Sequence, residues 1–259
     1  MIYRRAAAKL RAQDWTAISI ELVIVIVGVF VGMWVADWNE ARVERATTIR
    51  LLNQFKPELS YQFDQYHRLQ AYMATTGEYG QVALRGWRND SSVSDKQFVI
   101  AAYQASQATG SVTNTQTWSS IFGSNQVQNI SDPRLRQALI RVLSLDSSLT
   151  DYHQIFSAYR ENVRHVIPDE VQDRIRWQCG DRLKGPGSTN TFNIYYLPPR
   201  CDVDLTPEQV RAAAAALRAH PGLVGDLNWH RALVATMMLN WQLYIESLKQ
   251  LSNAIEHHS

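Results

Sequence analysis

Residues 22–36 (LVIVIVGVFVGMWVA) are apolar without interruption, and Ile18, Ser19 and Ile20 extend the run past one acid, Glu21. Fifteen uninterrupted residues are short for a membrane span. Two tryptophans supply the missing length, because Trp15 and Trp38 stand roughly 34 Å apart along a helix, one at each edge of a hydrocarbon core. Trp34 lies one turn from Trp38 and shares the outer boundary. The pattern predicts a transmembrane helix over 18–38, a tail over 1–17 and an outer domain over 39–259.

Beyond the span, Ile49, Leu52, Leu59, Phe63, Tyr66 and Met73 recur at helical spacings, so a long helix is expected to leave the membrane. Pro57 predicts a kink or break in it, and Gly77, Gly80 and Gly86 predict its end. SDKQ at Ser94 has the form of a capping box opening a helix to about Ala108. Residues 110–131 read as a polar connection pressed onto the core by Trp118, Ile121 and Phe122. Asp132-Pro133 is a helix start. The helix it opens is expected to bury Leu135, Leu139, Val142, Leu149, Tyr152 and Phe156 and to reach about Val166. Pro168 opens a short helix to about Gln178, and Thr206-Pro207 opens another to Ala219, where Pro221-Gly222 stops it. The last helix, about 225–255, is expected to carry Trp229, Leu233, Thr236, Asn240, Tyr244, Ser247 and Leu251 on one stripe. FNIYYL is the longest strand-like stretch. The predicted fold class is all-α: one N-terminal transmembrane helix followed by an extracytoplasmic bundle of four to six helices.

Composition fits a packed chain, with 46% apolar and 19% charged residues. The net charge of +2 conceals an asymmetry, since Arg4, Arg5, Lys9 and Arg11 face only Asp14 in the first seventeen residues. The remainder is near neutral and is not a nucleic-acid binder by charge. The basic tail predicts a cytoplasmic N-terminus by the positive-inside rule, against the weaker pull of Arg42, Arg45 and Arg50. A cleaved signal peptide is the competing reading, but no A-x-A follows the run and it flows directly into helix-forming WNEARVER. An uncleaved anchor in a bacterial inner membrane, with a periplasmic domain, is therefore the expectation.

Only two cysteines are present, Cys179 and Cys201, flanking a Gly-, Pro- and Asn-rich loop over 179–201. In an oxidising compartment they form a disulfide, worth roughly 3 kcal/mol by loop closure, and otherwise they are two thiols. Within the loop Ile194, Tyr195, Tyr196 and Leu197 are apolar, aromatic and followed by Pro198-Pro199. They either protrude to meet a partner or fold back over the end of the bundle.

Inside the span, Gly28 and Gly32 form a G-x-x-x-G step that Ala36 continues, and Glu21 projects within about 20° of Gly28 on a helical wheel. This is either a docking face for another helix, in a partner protein or a second copy, or a lone interfacial acid beside a chance glycine pair.

The stretch IELVIVIVGVFVGMWVADWNEAR resembles the N-terminal signature of a family of bacterial single-pass membrane proteins, with an acid opening the span, a Gly-spaced run and a closing W-N-E. TWSSIFGSNQVQNISDPRLRQALIRVL is similar to the same family's downstream segment. The resemblance implies architecture and not activity: an N-terminal anchor, a helical domain and a bacterial envelope. The cysteine loop lies outside it.

Catalytic patterns are not apparent. Glu161 and His165 are one turn apart, but two ligands do not define a metal site, and His67, His153, His220 and His230 are scattered. There is no G-x-S-x-G elbow, and Gly185-Pro186-Gly187 has the context of a turn rather than a phosphate cradle. No enzyme activity, cofactor or metal is expected. The leading functional expectation is an accessory or scaffolding subunit docking on other membrane proteins. The alternative is a ligand-binding or sensing module that relays through a partner, since a seventeen-residue tail is too short for an output domain.

Overall fold

The first helix, α1 (Trp15–Trp87), is continuous in the computed structural model, which describes residues 15–109, 127, 130, 132–149, 157–180, 182–183 and 195–257. The chain divides into two compact units, Met1–Leu52 and Asn53–Ser259, with the boundary inside α1. In the first unit the apolar run is left uncovered by the described residues. Its large side chains from Ile20 to Val35 are all exposed, by 44% to 71%. By length and composition this helix can cross a membrane.

In the second unit α1 turns amphipathic and buries Phe55, Leu59, Tyr66, Leu69 and Met73. Of the kink or break expected at Pro57, the break does not occur: the ring lies exposed in an uninterrupted helix. An interior proline costs about 3 kcal/mol, and burying Phe55 and Leu59 on either side stabilises by about 1.5–3 kcal/mol each. Tertiary burial therefore overrides the local penalty. Gly77 and Gly80 do not end the helix either. It stops at Trp87, where Asn89 takes a left-handed φ of 55° and the Asp90 N–H bonds the Arg85 carbonyl at 3.1 Å, closing a Schellman turn. Gly86 is required just before this stop, because a Cβ there would collide with the Phe98 ring.

α2 (Asp95–Gln104) starts on the expected capping box, with Ser94 and Gln97 bonded reciprocally. It ends four residues before the predicted Ala108, and the Ser106 hydroxyl donates to the Tyr103 carbonyl at 2.7 Å where the helix would have continued. α3 (Pro133–Leu149) starts as predicted, Asp132 accepting from the Arg134 N–H at 2.8 Å, and buries Leu135, Leu139 and Val142. It does not run on to Val166. A separate α4 (Ala158–Val166) begins after Ser157, whose backbone is extended. Trp118, Ile121, Phe122, Tyr152 and Phe156 lie outside the described residues.

α5 (Asp169–Cys179) follows Pro168. β1 (Arg182–Leu183) pairs antiparallel with β2 (Tyr195–Tyr196), Arg182 opposite Tyr196 and Leu183 opposite Tyr195. α6 (Pro207–Ala219) has the predicted Thr206 capping box, and α7 (Gly222–Glu256) completes the described helices. The fold class is all-α, a long apolar N-terminal helix and a helical domain, with a two-residue strand pair as its sole described departure.

In the second unit, α7 packs on α3 and α4, and α2 on α6. α7 also runs antiparallel to α1. Tyr244 donates to Gln62 at 2.7 Å, Gln70 donates to Gln242 at 3.1 Å, and Arg231 lies beside Gly80. The rings of Tyr66 and Tyr244 meet at 4.6 Å in this seam. The buried stripe of α7 is Leu223, Leu227, His230, Val234, Trp241, Tyr244, Leu248 and Leu251. The expected stripe is corrected in its first half, where Trp229 is 64% exposed and Thr236 is exposed, while His230 is only 2% exposed. The buried positions there fall one residue further along, on His230, Val234 and Trp241.

Candidate functional site

Three regions hold the residues with functional character. On α1, Glu21, Gly28, Gly32 and Ala36 are all exposed, and a Cβ added at Gly28 or Gly32 would meet nothing within 4 Å. Trp34 and Trp38 are exposed as well, and the Arg42 guanidinium lies 5.9 Å from the centroid of the Trp38 ring. Trp15 opens the helix; its side chain lies outside the described residues.

The second region is the cysteine junction. Cys179 and Cys201 form a disulfide, their Cα atoms 5.6 Å apart. Both sides of it are anchored. Gln104, fully buried at the end of α2, donates to the Cys179 carbonyl at 2.7 Å. Beyond Cys201, Lys96 pairs with Asp202, Val203 is buried, and the Asp204 N–H donates to Gln178 at 2.9 Å. Of the four residues singled out in the loop, Ile194 lies outside the described residues, Tyr195 and Tyr196 form β2, and Leu197 is buried. The Tyr79 hydroxyl fastens the next residue, donating to the Pro198 carbonyl at 2.7 Å. Burial, with Tyr196 and Glu78 nearby, pushes that phenol up to about 12, so it stays a donor at neutral pH.

The third region was not foreseen. His230 on α7 is buried against the start of α4, its Nδ1 2.7 Å from the Ser157 hydroxyl and its ring 5.8 Å from that of Tyr159. Desolvation, helped by the positive charge of Arg160, lowers the imidazole to about 4, so it is neutral at pH 7. The Ala105 backbone acts weakly in the opposite direction, and Nε2 has no hydrogen-bond partner among the described residues. Arg160 and Arg164 continue inward from α4. Arg160 donates to the Ser106 carbonyl at 2.6 Å, and Arg164 donates to Gln107 at 2.9 Å while lying 5.0 Å from the Tyr103 ring. His230 also borders a groove of about 350 Å³ between α1 and α7, within the second unit. The spacing Leu227, His230, Val234 was the available signal for this residue.

Glu161 and His165 are exposed on α4, and no group of three or more His, Cys, Asp or Glu side chains that could hold a metal is found among the described residues. No known protein family, curated protein or solved structure matches the chain.

Proposed function

We propose that the chain is a single-pass membrane protein that acts without catalysis, as an accessory or scaffolding subunit docking on other membrane proteins. In this reading the basic tail is cytoplasmic and the domain over 39–259 occupies an oxidising compartment, the periplasm of a bacterium. The resemblance of the N-terminal signature to a bacterial single-pass family belongs to the same reading.

The observation that carries it is the bare apolar run of α1. Each large side chain exposed there costs about 1.5–3 kcal/mol in water relative to burial, and more than ten are exposed together. A lipid core removes that cost. Gly28 and Gly32 then matter because the space around them is open, which lets a second helix approach closely. The disulfide supports the oxidising side for the domain.

Gly28→Ile combined with Gly32→Ile tests the docking face. A Cβ at either position meets nothing within 4 Å, so a change in association reports contact with another helix. Cross-linking with mass spectrometry in native membranes is expected to recover a membrane-protein partner from the wild type and lose it in the double variant. Unchanged recovery would sink the docking face. Digestion of the domain by protease added to intact spheroplasts is the expected result for the proposed orientation.

A further inference from the structure

The groove between α1 and α7 carries an inference that stands whether or not the chain docks on a membrane partner. Its volume of about 350 Å³ falls within the range of small-molecule sites. Met73 from α1 and Val234 and Met238 from α7 give it an apolar lining, in which the methionines can adapt to an occupant's shape. Two charges also line it, Glu78 from the α1 wall and Arg231 from the α7 wall. Among the described residues neither forms an ion pair or a hydrogen bond, with each other or with a third group.

Arg231 is held in place by packing. A Cβ on Gly80 would stand 3.2 Å from its Cδ and 3.6 Å from its Nε, so the missing side chain at position 80 is what lets the arginine stem lie along α1. At Gly77, on the same wall, a Cβ would meet nothing within 4 Å. The groove is open there.

We propose that this groove binds a small zwitterion with an apolar body, the chemical class of the apolar amino acids. Its carboxylate faces Arg231, its ammonium faces Glu78, and its side chain lies on Met73, Val234 and Met238. Unlike charges that line one groove and do not pair with each other match a dipolar ligand. A simple anion would meet Arg231 and be repelled by Glu78, and a simple cation would meet the reverse. An arginine and a carboxylate in this arrangement each gain a charge-assisted hydrogen bond from the ligand.

The full chain in lipid nanodiscs can be titrated calorimetrically with L-leucine and L-phenylalanine. The controls are 4-methylpentanoate and 3-methylbutylamine, which are leucine without its ammonium and without its carboxylate. Saturable binding of at least one amino acid is expected, with affinity reduced by about tenfold or more for both controls. Arg231→Gln should weaken binding by a similar factor. Gly77→Leu should abolish it while leaving the melting temperature equal or higher, because a helical glycine is replaced by a better helix former that projects into open space. Three results would each overturn the proposal: no saturable binding of either amino acid, binding of a singly charged control as tight as leucine, or binding that survives Gly77→Leu in a folded variant.

Discussion

The Oγ of Ser157 lies 2.7 Å from the Nδ1 of His230, and the contact diverts a hydroxyl in the capping position of α4 away from its own helix, where it makes no capping bond. The histidine is thereby tied into the core as a neutral ring. Its folded pKa of about 4 lies below the ordinary value of 6.5, so between those pH values the unfolded chain binds more protons than the folded one. Stability from this group is therefore full above pH 6.5 and declines as pH falls to about 4, by roughly 3 kcal/mol in all. The other titratable groups facing the ring are Arg160, which stays charged, and Tyr159, which burial drives far up and keeps neutral. Urea denaturation at pH 7 and pH 4.5 should show a steeper acid loss for the wild type than for His230→Gln. Equal losses would refute the assignment.

The disulfide is expected to contribute to stability by closing its loop, a gain that grows with the logarithm of loop length. With a sequence separation of 22 between Cys179 and Cys201, loop closure is worth roughly 3 kcal/mol. Cys179→Ser with Cys201→Ser should lower the denaturation midpoint accordingly, and reducing agent should shift the wild type but not the variant. A wild type whose midpoint is insensitive to reduction would show that the anchors at Gln104, Lys96 and Gln178 hold the junction unaided.

Gly86 tests a close approach rather than a turn. A Cβ there would collide with Phe98, a buried ring that also meets Trp87 edge-on at 5.0 Å. Gly86→Ala is expected to destabilise by about 1–3 kcal/mol despite the better helix propensity of alanine. Pairing it with Phe98→Leu should recover part of that loss relative to the sum of the single changes. Strict additivity of the two would rule out the contact as the cause.

Local signals account for much of what was legible in the sequence. Ser94, Asp132, Pro168 and Thr206 each start a helix where a cap or a proline predicts one. The errors arose where distant packing decides. Pro57, Gly77 and Gly80 look like breakers, yet α1 passes through all three because residues on its buried face pack against α7, as where Gln62 and Gln70 bond Tyr244 and Gln242, 182 and 172 positions later in the chain. α3 and α4 share an apolar spacing that reads as one helix, and the extended Ser157 between them makes sense only once His230 is seen beside it. The groove was invisible for the same reason, since Glu78 and Arg231 are unrelated until two antiparallel helices bring them to one groove.

Pro57 offers the sharpest check on that account of α1. The residue is exposed, so replacing it removes no buried surface, and the helix on both sides is already formed. Alanine at this position supplies the N–H that proline lacks and relieves the ring's clash with the preceding turn, together worth about 3 kcal/mol in a helix interior. Part of that gain is offset, because proline also restricts the unfolded chain, by about 0.4–1 kcal/mol. Pro57→Ala should therefore raise stability by roughly 2 kcal/mol, with helix content by circular dichroism unchanged. A break at Pro57 in solution predicts instead that the alanine variant gains helix content, and a variant less stable than the wild type would mean that the proline's own geometry is used by the packing around Phe55 and Leu59.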